Sequence, residues 1–255
     1  IIRYGKFDAD TKWQNNVTFV ADNRDYNIHQ SDAENLSDLL KSNSPGTEIK
    51  KIYLDDYEIT NIENFPAAPK ANETLNKYME EGSFVINYNG HGSEEGWAQE
   101  KLLTFSDILN WRNQKQPILF TATCQFGKFD NPAIVSGAEL SLLNATGGAI
   151  ALLTTTRPVY SSTNEKINSA FYRNFNKTNT LGEWFRLTKN QSIEGELNRN
   201  FSLLGDPSLP LPVINNELII NQINSENTGQ KVVKALEKIK IKGQSQNIRN
   251  GKVMI

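Results

Sequence analysis

The sequence contains very little cysteine and histidine. Its 255 residues include one cysteine, Cys124, and two histidines, His29 and His91. A single cysteine excludes an internal disulfide and any zinc or iron–sulfur site built from several thiolates. Two histidines argue against a histidine-rich catalytic zinc site, so we predict no metal ion among the functional residues. The lone thiol fits a reducing and an oxidising compartment equally well.

Net charge and long apolar runs are also missing. The 27 basic residues nearly balance the 29 acidic ones, for a formal net charge of −2. General nucleic-acid binders carry a basic excess, so we predict no nucleic-acid partner. The longest apolar stretch, near Gly147 to Leu153, is much shorter than the roughly 20 residues that cross a bilayer. Because neither an initiator methionine nor a signal peptide is visible, we expect a processed or excised piece.

Short apolar runs alternate with amphipathic stretches over the first 213 residues. The predicted strands are Asn16–Ala21, Lys51–Asp55, Ser83–Tyr88, Pro117–Thr123 and Ala149–Thr155. Helices are predicted between them, the first opening at a capping box that starts at Ser31. Continuous apolar strands separated by helices predict an α/β fold, a mostly parallel sheet covered on both faces. After residue 213, Leu218–Ile223 and Lys238–Lys242 alternate apolar and polar residues, which predicts a half-exposed antiparallel sheet.

Residues suited to catalysis follow three of these strands. Asp22 follows the first, His91 follows the third between two glycines, and Cys124 follows the fourth. Ligands bind beyond the carboxyl ends of parallel strands, so one crevice could gather a carboxylate, an imidazole and a thiol. In such a crevice the imidazole takes the proton of the thiol and the carboxylate orients the imidazole, which activates the thiol for acyl transfer. The backbone N–H groups of Gly92 and Cys124 could then form an oxyanion hole.

Each of these residues also has a structural interpretation. A cysteine that ends an apolar strand is often buried packing, and a histidine between glycines can face solvent in a tight turn. The loop with Asp22, Asp25, His29 and Asp32 could hold a hard cation, but it lacks EF-hand spacing, so a solvated loop with a helix cap is the favoured interpretation. The glycines 90, 92 and 96 do not have dinucleotide-binding spacing, and two acids lie where a pyrophosphate would sit.

Read in order, three segments resemble the gingipain-type cysteine peptidases of family C25. Tyr88–Ser93 with Gly96-Trp97 is similar to their histidine segment, Thr121–Asp130 to their nucleophile segment, and Leu203–Leu209 to the end of their catalytic domain. Within the family, the form of the nucleophile segment looks closest to the sortases of type IX secretion in Bacteroidetes. Three further matches favour the same group, namely Gly137-Ala138-Glu139, Thr154–Arg157 and Asn164.

The resemblance implies a caspase-like three-layer α/β/α sandwich. Residues 1–213 would form the second half of the family's peptidase domain, and residues 214–255 the start of a β-sandwich. Cys124 becomes the nucleophile, His91 the general base and Asp22 the acid that orients the histidine. Trp97 and Asp25 are the predicted substrate-binding residues. No cofactor is implied for the chemistry, although the family commonly binds structural calcium.

In function, the resemblance implies a surface enzyme that removes a C-terminal secretion signal from cargo proteins through a Cys124 thioester. Its partners would be those cargo proteins, an outer-membrane protein and anionic lipopolysaccharide, and its location the extracellular face of the outer membrane. Two alternatives remain open at this stage. One is a gingipain-like secreted endopeptidase, and the other is a peptidase-like module that binds without catalysis.

Overall fold

The fold was analysed in a computed structural model, which describes residues 12–212, 218–225, 235–236 and 238–245. The chain divides into two compact units, Ile1–Pro212 and Val213–Ile255. Within the described residues, no helix is long and apolar enough to cross a membrane.

The larger unit alternates strands and helices along most of its length. Its elements in chain order are β1 (Asn16–Ala21), α1 (Ile28–Asn43), β2 (Glu48–Tyr53), β3 (Thr60–Ile62), β4 (Phe65–Ala67), α2 (Pro69–Glu81), β5 (Val85–Asn89), α3 (Phe105–Asn110), β6 (Ile118–Ala122), α4 (Gly137–Leu143), β7 (Ala151–Thr155), α5 (Ser161–Arg173), α6 (Leu181–Asn190), α7 (Glu196–Arg199) and β8 (Phe201–Leu204). Strands β3 and β4 form a separate small hairpin.

One six-stranded sheet organises this unit. Its strand order is β2-β1-β5-β6-β7-β8, and all neighbouring pairs are parallel except β7 with β8. The strands β5, β6 and β7 are buried along their full length, which is why they appear in sequence as continuous apolar runs. The predicted α/β fold with a mostly parallel sheet is confirmed. Strand β8 was not predicted. It is the last strand on one side of the sheet and pairs with β7 in the antiparallel direction.

Helices cover both faces of the sheet. Successive residues of a strand face opposite sides, so Phe19 of β1 lies in one core with α1, α5 and α6, while Val20 lies in the other with α2, α3 and α4. Buried aromatic rings strengthen the first core, where Phe171 and Trp184 stack with centroids 3.9 Å apart. Two cores on either side of one sheet make the three-layer sandwich.

Helix α1 begins earlier than the sequence predicted. Its first residue is Ile28 rather than Ser31, because the backbone N–H of Ser31 already donates to the Asn27 carbonyl at 2.9 Å. The Ser31 capping box is therefore wrong. The helix is instead preceded by a left-handed turn at Asp25, Tyr26 and Asn27.

The smaller unit contains an antiparallel pair of strands, β9 (Leu218–Ser225) and β10 (Ile239–Ser245). Their register shifts between Lys242 and Gly243. The alternating pattern in the tail thus correctly predicted two antiparallel strands. The rest of the predicted β-sandwich start at 214–255 lies outside the described residues.

Candidate active site

The predicted functional residues lie just beyond the carboxyl ends of three neighbouring strands, β1, β5 and β6. Asn89 of β5 is paired with Ala21 of β1 on one side and with Ala122 of β6 on the other. His91 and Cys124 each lie two residues beyond this paired position, and Asp22 lies one residue beyond it. The parallel register therefore delivers the carboxylate, the imidazole and the thiol to the same edge.

Asp22 is buried and binds the main chain of the histidine segment. Its Oδ2 accepts the backbone N–H of His91 at 3.0 Å, and its Oδ1 accepts the backbone N–H of Asn23 at 2.8 Å. The hydroxyl of buried Tyr88 donates to the His91 carbonyl. Burial, together with the nearby Asp22 carboxylate, raises the pKa of Tyr88 well above its usual value. Asp22 therefore positions the backbone of His91, not its ring as the sequence predicted.

Asp25 is the carboxylate that contacts the imidazole. Its Oδ2 lies 2.8 Å from His91 Nε2, and both side chains are about half exposed. The hydrogen bond from the His91 ring holds the pKa of Asp25 below its usual value. Asp25, which the sequence assigned to substrate binding, thus occupies the orienting position expected for Asp22.

A strained turn places Asp25 there. Asp25, Tyr26 and Asn27 have φ of 60°, 57° and 62°, a left-handed conformation that residues other than glycine seldom adopt consecutively. Such conformations cost on the order of 1–3 kcal/mol each and persist only where the surroundings enforce them. Here the Ile28 N–H donates to the Asp25 carbonyl at 3.2 Å and starts helix α1.

His29 completes a three-residue group with Asp25 and His91. It lies in the first turn of α1, is almost fully buried, and meets the His91 ring edge to face with centroids 5.3 Å apart. Its Nε2 is 3.4 Å from Asp25 Oδ2. Burial lowers the pKa of His29, which favours the neutral ring. The sequence placed His29 in a loop that could hold a cation, but it did not connect His29 with His91.

Cys124 is half-buried at the end of β6, and its Sγ lies 3.7 Å from the Val159 carbonyl oxygen. The chain turns sharply after it, because Gln125 has a φ of 57°. The flanking carbonyls are held from two sides. The Asn164 side-chain amide donates to the Ala122 carbonyl at 3.1 Å, and the Thr155 hydroxyl donates to the Thr123 carbonyl.

Gly92 packs directly against the segment that carries Cys124. A Cβ added to Gly92 would lie 2.6 Å from Thr123 Oγ1, so only glycine allows this approach. Within the described part of the chain, neither the Gly92 nor the Cys124 backbone N–H donates to a protein acceptor. The predicted oxyanion hole needs both N–H groups without a described acceptor, and its formation stays a prediction.

Trp97 does not reach the surface. It is only 1% exposed, and its ring stacks on Tyr88 with centroids 4.6 Å apart and planes 3° apart. Its backbone pairs with Gly92 as an isolated β-bridge. The prediction that Trp97 binds substrate is therefore wrong, because its side chain is part of the core that supports the histidine segment.

A buried asparagine network, which the sequence analysis did not identify, lies beneath the site. Asn87 donates to Asn168 at 2.6 Å, Asn89 donates to Asn87 at 2.7 Å, and Asn168 donates to Asn89 at 3.1 Å. Asn168 also donates to the backbone carbonyl of Asn164. The signal was present as i,i+2 spacing in a strand and i,i+4 spacing in a helix. This network ties the ends of β5 and β6 to α5.

A cleft of about 900 Å³ opens beside His91 and Asp25. Its lining includes the charged residues Arg24, Glu95 and Lys101. Arg24 is held by an ion pair of 3.1 Å with the buried Glu100. The cleft extends from the histidine side of the site, and Cys124 does not line it.

The two carboxylates should respond differently to replacement by asparagine. Both oxygens of Asp22 accept a backbone N–H, so the Asp22→Asn amide nitrogen must face one of these donors. We expect this clash to lower the free energy of unfolding by about 1–3 kcal/mol. In Asp25→Asn the new side chain stays exposed and asparagine tolerates the left-handed backbone, so its thermal midpoint should match the wild type. Equal midpoints for the two variants in thermal denaturation would contradict these assignments.

Known proteins resemble this chain in sequence pattern and in fold. The sequence model of Peptidase family C25 matches residues 1–212. No curated protein matched the chain.

Solved structures of similar fold include gingipain R, an Arg-specific cysteine proteinase, at 18% identity and a TM-score of 0.63. The complex of the Porphyromonas gingivalis RgpB pro- and mature domains matches at 18% identity and a TM-score of 0.66. The alignments cover 86% and 88% of this chain but only 52% and 55% of those chains. The chain thus spans about half the length of these proteins, and at this identity the likeness shows the fold, which is the caspase-like fold predicted.

Proposed function

Because the chain belongs to peptidase family C25, we propose that it carries the catalytic centre of a cysteine peptidase. The observation that supports this most directly is the shared register of β5 and β6, which sets His91 and Cys124 at equivalent positions of one sheet edge. Gly92 packs closely against Thr123, next to the nucleophile. The backbone N–H groups of Gly92 and Cys124, which have no acceptor among the described residues, would supply the oxyanion hole that thiol acyl transfer requires.

In the proposed mechanism, the thiolate of Cys124 attacks the carbonyl carbon of the scissile peptide bond. The carbonyl oxygen becomes an oxyanion that accepts hydrogen bonds from the Gly92 and Cys124 backbone N–H groups. His91 gives its proton to the leaving amine as the C–N bond breaks, which leaves a thioester on Cys124. Water or an amine then attacks the thioester, His91 accepts its proton, and the thiolate is released.

In this mechanism Asp25 orients the imidazole, since its carboxylate lies 2.8 Å from the ring nitrogen Nε2. Asp22 positions the same residue through its backbone. We assign the cleft beside His91 to the part of the substrate that follows the scissile bond, because His91 delivers its proton to that side. The chemistry needs no cofactor, and the calcium that the family resemblance allows would be structural.

We further propose that the full-length protein is a sortase of the PorU type in type IX secretion, located on the extracellular face of the outer membrane. The support is the form of the nucleophile segment Thr121–Asp130, the Gly137-Ala138-Glu139 run and the β-type tail. Its substrates would be cargo proteins with a C-terminal signal. Its partners would be an outer-membrane protein and anionic lipopolysaccharide, whose amine could resolve the thioester.

A peptidyl electrophile that forms a thioether with cysteine tests the proposed peptidase. In the full-length protein we expect it to modify Cys124, and His91→Ala should lower the rate of modification by about 10²–10⁴-fold, the usual contribution of a positioned acid–base group. Peptide mapping by mass spectrometry locates the adduct, and a small neutral thiol reagent controls for access. A rate that His91→Ala does not change would favour the non-catalytic binding module instead.

A further inference from the structure

The side chains of Asp25, His29 and His91 converge on one point, and we infer that they bind a Zn²⁺ ion that blocks the site. One ligand atom from each residue lies within 4.8 Å of the other two. The binding site stands on this geometry alone. Its inhibitory effect rests on the proposed function, because it acts through His91.

The spacing fits a tetrahedral ion. Ligands at about 2.0–2.1 Å from zinc lie roughly 3.3–3.4 Å from one another in a tetrahedron. Asp25 Oδ2 is 3.4 Å from His29 Nε2 and 2.8 Å from His91 Nε2. To reach this spacing, the half-exposed side chains of Asp25 and His91 would have to move apart by about 0.5 Å.

A second observation points to a ligand at this position. His29 is 5% exposed, yet within the described part of the chain its buried Nε2 makes no well-aligned hydrogen bond. A buried polar atom without a hydrogen-bond partner is destabilising. Because this atom lies 3.4 Å from Asp25 Oδ2, and one ligand atom of each of the three residues lies within 4.8 Å of the others, a metal ion between the three residues would satisfy it.

The ligand chemistry selects the ion. Two imidazole nitrogens and one carboxylate oxygen are a donor set that zinc accepts, with a fourth position left for water. Calcium and magnesium prefer sites made only of oxygen atoms, so they should bind here weakly. The half-exposed side chains of Asp25 and His91 leave a path for the ion from the adjoining cleft.

Bound zinc would occupy the Nε2 lone pair of His91. Asp25 otherwise contacts this nitrogen, so the proton of the zinc-bound neutral ring stays on Nδ1. With no free lone pair on either ring nitrogen, His91 could no longer accept the proton of Cys124 or of an attacking group. The three ligands include no sulfur atom, so this site differs from zinc capture by a cysteine thiolate. Removal of the ion by a chelator would restore His91, which makes the inhibition reversible.

A zinc titration of the full-length protein, monitored by competition with a chromophoric chelator, tests the site. We expect one equivalent of Zn²⁺ to bind. His29→Phe keeps a ring in the buried position but removes the ligand, and we expect it to weaken binding by at least about 10- to 100-fold. Asp25→Asn should weaken binding in the same direction, and Cys124→Ser should change the affinity by less than about twofold.

Retained zinc affinity in a folded His29→Phe protein would overturn the site, as would loss of affinity in Cys124→Ser. If His29→Phe does not fold, His29→Gln provides the same comparison. Co²⁺ supplies an independent readout, because its absorption spectrum should show tetrahedral coordination without a thiolate charge-transfer band.

The effect on catalysis is measured separately. Zinc should slow modification of Cys124 by the peptidyl electrophile in the wild type, and each variant is compared only with itself with and without zinc. Binding without slower modification would overturn the inhibitory role. Absence of modification in zinc-free protein would instead contradict the proposed peptidase, while the binding measurements still decide the metal site.

Discussion

Cys124→Ala is expected to leave cargo proteins with their C-terminal secretion signal still attached. The thiol is the only sulfur nucleophile in the chain, and no neighbouring group can form the thioester in its place. Loss of a catalytic nucleophile lowers turnover by several orders of magnitude, here at least about 10³-fold. Secretion across the membrane should continue, because the proposed enzyme acts on the extracellular face of the outer membrane.

Mass spectrometry measures this effect. It identifies the C-terminus of one cargo protein in cells that carry the wild type and in cells that carry Cys124→Ala. Ser42→Ala is a matched control, since it also removes one heteroatom but lies in the last turn of α1, at the opposite edge of the sheet. Unchanged processing in Cys124→Ala would contradict the sortase assignment. If peptide cleavage is lost while cargo processing persists, the protein is an endopeptidase of another role.

Gly92→Ala should also greatly reduce activity, although it adds a single methyl group. The new Cβ would lie 2.6 Å from Thr123 Oγ1 and 2.9 Å from the Gly96 carbonyl oxygen. The Gly96 oxygen is a backbone atom, and both branches of the Thr123 side chain lie within 3.1 Å of the new Cβ. The histidine segment must therefore shift away from the nucleophile. Displacements near 1 Å in catalytic groups cost about 10²-fold in rate.

Gly46→Ala is the matched control for this variant. Gly46 lies between α1 and β2, and a Cβ there would meet no atom within 4 Å. We expect Gly46→Ala to keep wild-type kcat/KM and thermal midpoint, while Gly92→Ala loses about 10²-fold in kcat/KM. Equal kcat/KM for the two variants would show that the contact between Gly92 and Thr123 does not position the site.

Local patterns in the sequence were sufficient for the sheet and for the placement of the proposed catalytic residues His91 and Cys124. Buried parallel strands must be apolar on both faces, so β5, β6 and β7 appear as continuous apolar runs that end at recognisable positions. Parallel strands also bring their carboxyl ends together. His91 and Cys124 could therefore be assigned to one edge before any contact was known.

The partners of these residues depended on the tertiary structure. Asp22 and Asp25 are equally good acids in sequence, and a left-handed turn decides that Asp25 meets the imidazole while Asp22 binds backbone N–H groups. Trp97 follows a glycine-rich segment and could have faced solvent, but stacking on Tyr88 buries it. His29 joins His91 only because α1 starts next to the end of β5. The sequence by itself therefore determined which strand end carries each main catalytic residue. The fold decided which side chains touch, because contacts between separate segments depend on turn geometry and packing that no local pattern encodes.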